Sequence, residues 1–176
     1  MGRIAKMADK HDVLYSPWRL DYVRSAKSDD CIFCIQRNPA ADYDEKRLIV
    51  HRGEHSFVIL NMYPYNNGHL MVAPYRHVAS LMQLDENETS DLFLTVRLAE
   101  RVVREAYCPD GLNIGVNLGK AAGAGIDQHL HVHLVPRWVG DHNFMTTTGG
   151  TRVIPESFES AWNRLKEQFD NAQAEK

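Results

Sequence analysis

Cysteine is scarce, three in 176 residues, and two of the three sit together in Cys31-Ile32-Phe33-Cys34. So few thiols cannot build a disulfide framework, and they fit a reducing, cytoplasmic setting. Long apolar runs are missing as well: nothing approaches the roughly 18 consecutive apolar residues of a membrane span. The opening Met1–Met7 segment lacks the apolar core of a secretory signal. Neither sign of charge dominates, since 20 basic against 23 acidic side chains leave a net charge of −3. A general basic surface for nucleic acid is therefore excluded, and a phosphate site has to be local. What is present is 44% hydrophobic, in a length suited to one domain with a proper core.

Histidine is where the chain departs from the ordinary. Gln128-His129-Leu130-His131-Val132-His133-Leu134-Val135-Pro136-Arg137 alternates imidazole and aliphatic side chains, the period-2 signature of a strand with two unlike faces. Leu130, Val132 and Leu134 are expected in a core, and His129, His131 and His133 form a row spaced by roughly 7 Å on the other face. A lone histidine on such a strand is usually a hydrogen-bonded core residue. Three of the chain's nine on one face supply nucleophile, proton donor or metal ligand where imidazole can switch.

The stretches before this strand are scaffold with two notable loops. Arg47–His51, Ser56–Leu60 and His69–Pro74 read as successive strands, the last two joined by a loop rich in Asn, Pro and Tyr. His51 and His55 flank the first turn and are expected to face solvent. Asp85 with Glu88 forms a capping-box start for a helix whose apolar face is Leu92, Val96, Ala99, Val103 and Ala106, widened by Leu98 and Val102. That helix is expected to end near Tyr107, before the Cys108-Pro109-Asp110-Gly111 turn. Leu112–Leu118 reads as a strand with a glycine and asparagine face that lets something approach the backbone. Gly119–Gly125 is a small-residue loop able to turn backbone N–H groups toward a phosphate, although a tight hairpin alone would need glycine there. After Arg137 a polar tract to Thr151 reads as surface loop, with Trp138 and Asn143 able to cover the site. Pro155 opens a last helix with a core stripe of Phe158, Trp162, Leu165 and Phe169.

His129-x-His131-x-His133 followed by aliphatic residues and Pro136-Arg137 resembles the defining motif of the histidine-triad (HIT) family of nucleotide hydrolases and transferases. Leu60-Asn61, Tyr63–Pro74 and Arg76-His77 resemble that family's nucleotide-binding hairpin. Ser16-Pro17-Trp18-Arg19 and Arg137–Phe144 are similar to its bacterial diadenosine-tetraphosphate branch. The resemblance implies an α+β fold with a roughly five-stranded antiparallel sheet, two main helices and a two-fold dimer. Residues 1–30 would be an N-terminal arm anchored by Trp18, residues 31–145 the HIT domain, and residues 146–176 a loop and helix packed on it.

The same resemblance implies roles. His131 would be the nucleophile on an α-phosphorus, with His133 and loop N–H groups stabilising phosphoryl charge. Asn61 would bind ribose, Leu60 and Leu70 would contact the purine, and His69 would support the triad. Asn117, Gly123, Ala124 and Gly125 would line the phosphate loop, where many members instead carry Gln or Ser. The cysteine pair alone is open to a redox, metal or incidental reading. A tetrahedral zinc needs two further ligands. His77 and His129 fit, as they do in the family's zinc-bearing members, giving a structural site of Cys31, Cys34, His77 and His129.

The activity that the resemblance implies is cleavage of a dinucleoside polyphosphate, diadenosine tetraphosphate foremost, at the α-phosphorus through a nucleotidyl-histidine, by water or phosphate, without an organic cofactor. A purine nucleoside phosphoramidate hydrolase, a low-turnover purine-nucleotide-binding regulator, and a metal-binding scaffold are the alternatives. Neither a nucleic-acid nor a membrane partner is expected.

Overall fold

The computed structural model describes residues 31–37, 39, 42–141, 144–149 and 153–174. The expected arm at 1–30 with Trp18, and Asn143, lie outside the described residues. The elements run α1 (Tyr43–Arg47), β1 (Ile49–Arg52), β2 (Ser56–Leu60), β3 (Leu70–Pro74), a 3-10 turn (Leu81–Gln83) and α2 (Glu86–Tyr107). There follow β4 (Gly111–Val116), a 3-10 turn (Lys120–Ala122), β5 (Val132–Arg137), α3 (Phe144–Gly149) and α4 (Phe158–Ala174). The strands form one antiparallel sheet in the order β1-β2-β3-β5-β4. Two long helices beside a five-stranded sheet are the α+β arrangement expected. Among the described residues no helix is long and apolar enough to cross a membrane.

Strand alternation divides the interior into two cores. Val58 and Leu60 on β2, Leu70 and Val72 on β3, and Val132 and Leu134 on β5 face α2 and α4. They pack with Leu92, Val96, Ala99, Val102 and Val103 of α2 and Leu165 and Phe169 of α4. Each fully buried Leu or Val there contributes roughly 1.5–3 kcal/mol. The opposite face carries Phe57, Ile59, Met71 and Ala73, closed over by Phe33. The triad histidines belong to this second face. α2 begins as expected: Asp85 accepts from Glu88 N at 2.9 Å, and the Glu88 carboxylate accepts from Asp85 N at 3.0 Å.

Several local expectations are corrected. Tyr43–Arg47 is a helical turn closed by Leu48 in the left-handed region (φ 60°), so β1 starts at Ile49. His51 is buried rather than solvent-facing. A bulge between Ile49 and His51 breaks the alternation, and the imidazole stacks on Phe169 at 5.1 Å. The polar tract after Trp138 contains α3 instead of being loop throughout. The last helix starts at Phe158, three residues beyond Pro155, and Phe158 itself is exposed, so the core stripe begins at Ala161. Ladder pairing on the triad strand begins only at Val132. Upstream, Leu130 N donates to Val78 O at 2.6 Å, and the extended segment leans on the loop after β3.

The loop between β2 and β3 is fixed at its end by Gly68, which takes a positive φ of 68°. A Cβ there would stand 2.7 Å from the Tyr107 ring, so glycine is required on both counts. Asn66, buried in the same loop, donates to Pro136 O at 2.9 Å and to Asp141 Oδ2 at 3.0 Å. Arg137 grips that carboxylate with two N–H groups at 2.6 and 3.0 Å, which ties the loop to the end of β5.

Candidate active site and metal centre

Four imidazoles stand together on the second face, and backbone groups decide where each keeps its proton. Tyr65 N–H can only donate, and it meets His69 Nδ1 at 3.0 Å. His69 must therefore carry its proton on Nε2, which donates to His133 Nδ1 at 3.0 Å. His133 in turn keeps a proton on its own Nε2. His131 Nδ1–H donates to the His129 carbonyl at 2.7 Å, leaving the His131 Nε2 lone pair free. His129 Nε2–H donates to the Pro74 carbonyl at 2.8 Å, so its Nδ1 lone pair faces the cysteines. His131 and His133 lie edge to face with centroids 4.9 Å apart.

Burial disfavours the charged form of all four. It pushes His69 down to about 3, with the neighbouring His133 and His131 adding to the effect. Burial likewise takes His133 down to about 4, with His131 contributing. His129 falls to about 4 mainly through burial, partly offset by its bond to Pro74 O. His131 is lowered by burial, against the opposing pull of the His129 carbonyl. A neutral imidazole with a free Nε2 lone pair can act as nucleophile, and a neutral one with Nε2–H can donate to an anionic oxygen. The site contains one of each.

The second cluster adjoins the first through His129. Cys31 Sγ lies 3.3 Å and Cys34 Sγ 3.8 Å from His129 Nδ1, and Cys34 Sγ lies 3.2 Å from His77 Nδ1. All four donor atoms lie within 4.8 Å of one another. A tetrahedral ion with bonds of about 2.3 Å to sulfur and 2.0 Å to nitrogen separates such donors by about 3.5 Å. The residues fit a closed site of two sulfurs and two nitrogens. The Pro74 carbonyl supplies the outer bond that orients a ligating histidine. This group of Cys31, Cys34, His77 and His129 could hold a metal ion.

The remaining expected residues divide. Asn61 adjoins the site: its amide nitrogen is 3.2 Å from His69 Nδ1, and its Oδ1 accepts from Tyr63 N at 2.9 Å. Leu60 and Leu70 are buried in the helix-side core, on the opposite face from the triad. Their reading as purine contacts is corrected. Leu70 pairs with Leu134, whereas Met71 pairs with His133, so Met71 and Ile59 are the aliphatic side chains on the triad face. Asn117 immediately follows β4. Gly123 caps the 3-10 turn at φ 89°, and Ala124 and Gly125 lead from there toward the triad. Gly115 pairs with His133, and a Cβ there would meet nothing within 4 Å, which leaves open space beside the imidazole.

Sequence reasoning passed over two aromatic neighbours. Tyr65 lies over His69 at 4.8 Å and His133 at 5.8 Å, and Phe33 stacks on His131 at 4.8 Å. The position of Phe33 between the two cysteines was the available signal.

Comparison with known proteins agrees with this geometry. The family model described as HIT domain matches residues 44–139. An AP-4-A phosphorylase of Mycobacterium tuberculosis is 42% identical over 154 residues, covering 84% of this chain and 79% of that protein. The chain belongs to the HIT family. A bis(5'-nucleosyl)-tetraphosphatase (asymmetrical) of Schizosaccharomyces pombe is 34% identical over 93 residues, 53% of this chain and 50% of that protein. Among solved structures, a Zn-bound histidine triad family protein from Mycobacterium smegmatis is similar with a TM-score of 0.63 and 26% identity. That match covers 84% of this chain and 98% of the other.

Proposed function

We propose that this HIT protein is an enzyme that cleaves dinucleoside polyphosphates, diadenosine tetraphosphate foremost, at the α-phosphorus, with inorganic phosphate as the acceptor. One observation carries the mechanism: the free Nε2 lone pair of His131, enforced by its Nδ1–H bond to the His129 carbonyl. His131 Nε2 attacks the α-phosphorus, forming the P–N bond while the bridging P–O bond breaks. ATP leaves, and AMP stays on the histidine. His133 Nε2–H donates to a phosphoryl or leaving oxygen, and the bond that its Nδ1 accepts from His69 Nε2–H holds it in the tautomer that can do so. Phosphate oxygen then displaces His131, forming ADP and restoring the free imidazole. The choice of phosphate over water rests on likeness to the mycobacterial AP-4-A phosphorylase.

Asn61 is assigned to the ribose, and Asn117 with Gly123, Ala124 and Gly125 to the polyphosphate. The metal centre is read as structural zinc, which would pin the Cys31–Cys34 turn to His129 and take no part in bond making. Its donor set and the likeness to a Zn-bound relative support that reading. Residues 31–145 are taken as the HIT domain, with the C-terminal helix packed on it. The open edge of β4, with Ile114 exposed on it and Leu118 just beyond its end, supports a two-fold dimer through that edge.

Product analysis tests the activity. Incubation with diadenosine tetraphosphate should give ADP plus ATP in a phosphate-dependent manner, and His131→Ala should give neither. AMP plus ATP without phosphate would make it a hydrolase, and no cleavage under either condition would refute the dinucleotide reading.

A further inference from the structure

The His131 ring has three neighbours: the His129 carbonyl, the Phe33 ring, and His133, which meets it edge to face at 4.9 Å. The bond from Nδ1 to the His129 carbonyl fixes one edge of the imidazole. It does not fix the plane, because rotation about the Cβ–Cγ bond of histidine is broad and hydrogen-bond angles are tolerant. Phe33 covers the face of that ring. Its ring stacks on His131 with centroids 4.8 Å apart and planes 26° apart, and it meets His129 at 5.4 Å and 51°. Phe33 is itself buried, backed by Ile49, Phe57, Ile59, Met71 and Ala73. It is anchored on both flanks. Cys34 N donates to Cys31 O and Ile35 N to Phe33 O, each at 3.0 Å, and the two sulfurs reach His129 and His77.

We propose that Phe33 is a positioning residue for His131: its ring is the plate that holds the imidazole plane so that Nε2 addresses the substrate phosphorus. The proposal rests on the reading of His131 as nucleophile. A side chain that supplies only bulk would preserve the core yet free the plane, and misplacement of a reacting atom by about 1 Å costs on the order of 10²-fold in rate.

The experiment compares Phe33→Leu with Phe57→Leu, a substitution of the same kind in the same apolar cluster but not stacked on His131. Phe33→Leu should lower kcat on the order of 10²-fold with KM little changed. The single-turnover rate of nucleotide transfer to His131 should fall in step, while Phe57→Leu keeps both. Proton NMR gives the second readout. The His131 ring signals, assigned by their absence in His131→Gln, should lose the upfield ring-current shift in Phe33→Leu alone. Retained kcat with unmoved ring signals, an equal loss in Phe57→Leu, or a loss confined to KM would each overturn the proposal. Wild-type protein that takes up no nucleotide on His131 would defeat the nucleophile reading instead, and the ring signals would still decide whether Phe33 holds the imidazole.

Discussion

His69 is the histidine whose protonation the fold resists most. Its Nδ1 already accepts from Tyr65 N–H, so an added proton would break that bond and set one hydrogen against another. Burial, reinforced by His133 and His131, lowers it from the ordinary 6.5 to about 3. Between those values the unfolded chain binds the proton and the folded chain does not, so stability falls as pH falls through this window. The loss is negligible above pH 7.5 and amounts to about 2 kcal/mol at pH 5. With a urea dependence of about 2 kcal/mol per molar, the unfolding midpoint should drop by about 1 M between those pH values from this residue alone. The informative comparison is His69→Gln, whose side-chain oxygen still accepts from Tyr65 N–H but does not titrate. That variant starts from a lower midpoint at pH 7.5, yet its midpoint should move by about 1 M less on going to pH 5. Urea melts of both proteins followed across the range measure this directly. Parallel curves would refute the reasoning, because they would mean that His69 is protonated as readily in the folded chain as in the unfolded one.

Three further outcomes are expected. Gly115→Val places a side chain beside His133 without a clash in the fold, since nothing lies within 4 Å of the new Cβ, so the melting temperature should hold while kcat/KM falls about tenfold or more. Purified protein should carry one zinc per chain. Zinc at a hundred times its dissociation constant adds about 2.7 kcal/mol, and chelation should lower the melting temperature by roughly 5–10 °C. Cys34→Ser should remove both the bound zinc and the response to chelator.

The features legible in the sequence are those written in local periodicity. The triad announces itself by alternation, α2 by its capping box and apolar stripe, and the donor set by a cysteine pair wanting two more ligands. What the sequence did not yield depends on pairing register and on backbone groups. Leu60 and Leu70 read as plausible purine contacts until β3 is paired with β5. Once Leu70 stands opposite Leu134, it must share that residue's core-facing side, and the triad face passes to Met71. His51 was misread because a bulge cannot be seen in a four-residue strand. The Pro74 carbonyl that orients His129, and the Tyr65 N–H that orients His69, have no side-chain signature at all. The stacking of Phe33 on His131 joins residues 98 positions apart, which no local pattern reveals.

Those backbone groups also explain how one site holds a nucleophile and a proton donor of the same residue type. Two histidines in contact would ordinarily share protons according to pH, and at most pH values one role or the other would be short of its proper form. Here the choice is taken away from the solvent. The His129 carbonyl can only accept and the Tyr65 amide can only donate, and neither titrates. His131 is therefore left with a bare Nε2 and His133 with a protonated one, their rings 4.9 Å apart. Burial disfavours the charged form of both. The aliphatic alternation that gathers the triad on one face is thus only half of the design. The other half is a pair of main-chain groups, one on the triad segment itself and one in the Asn61–Gly68 loop, that makes adjacent imidazoles chemically unlike.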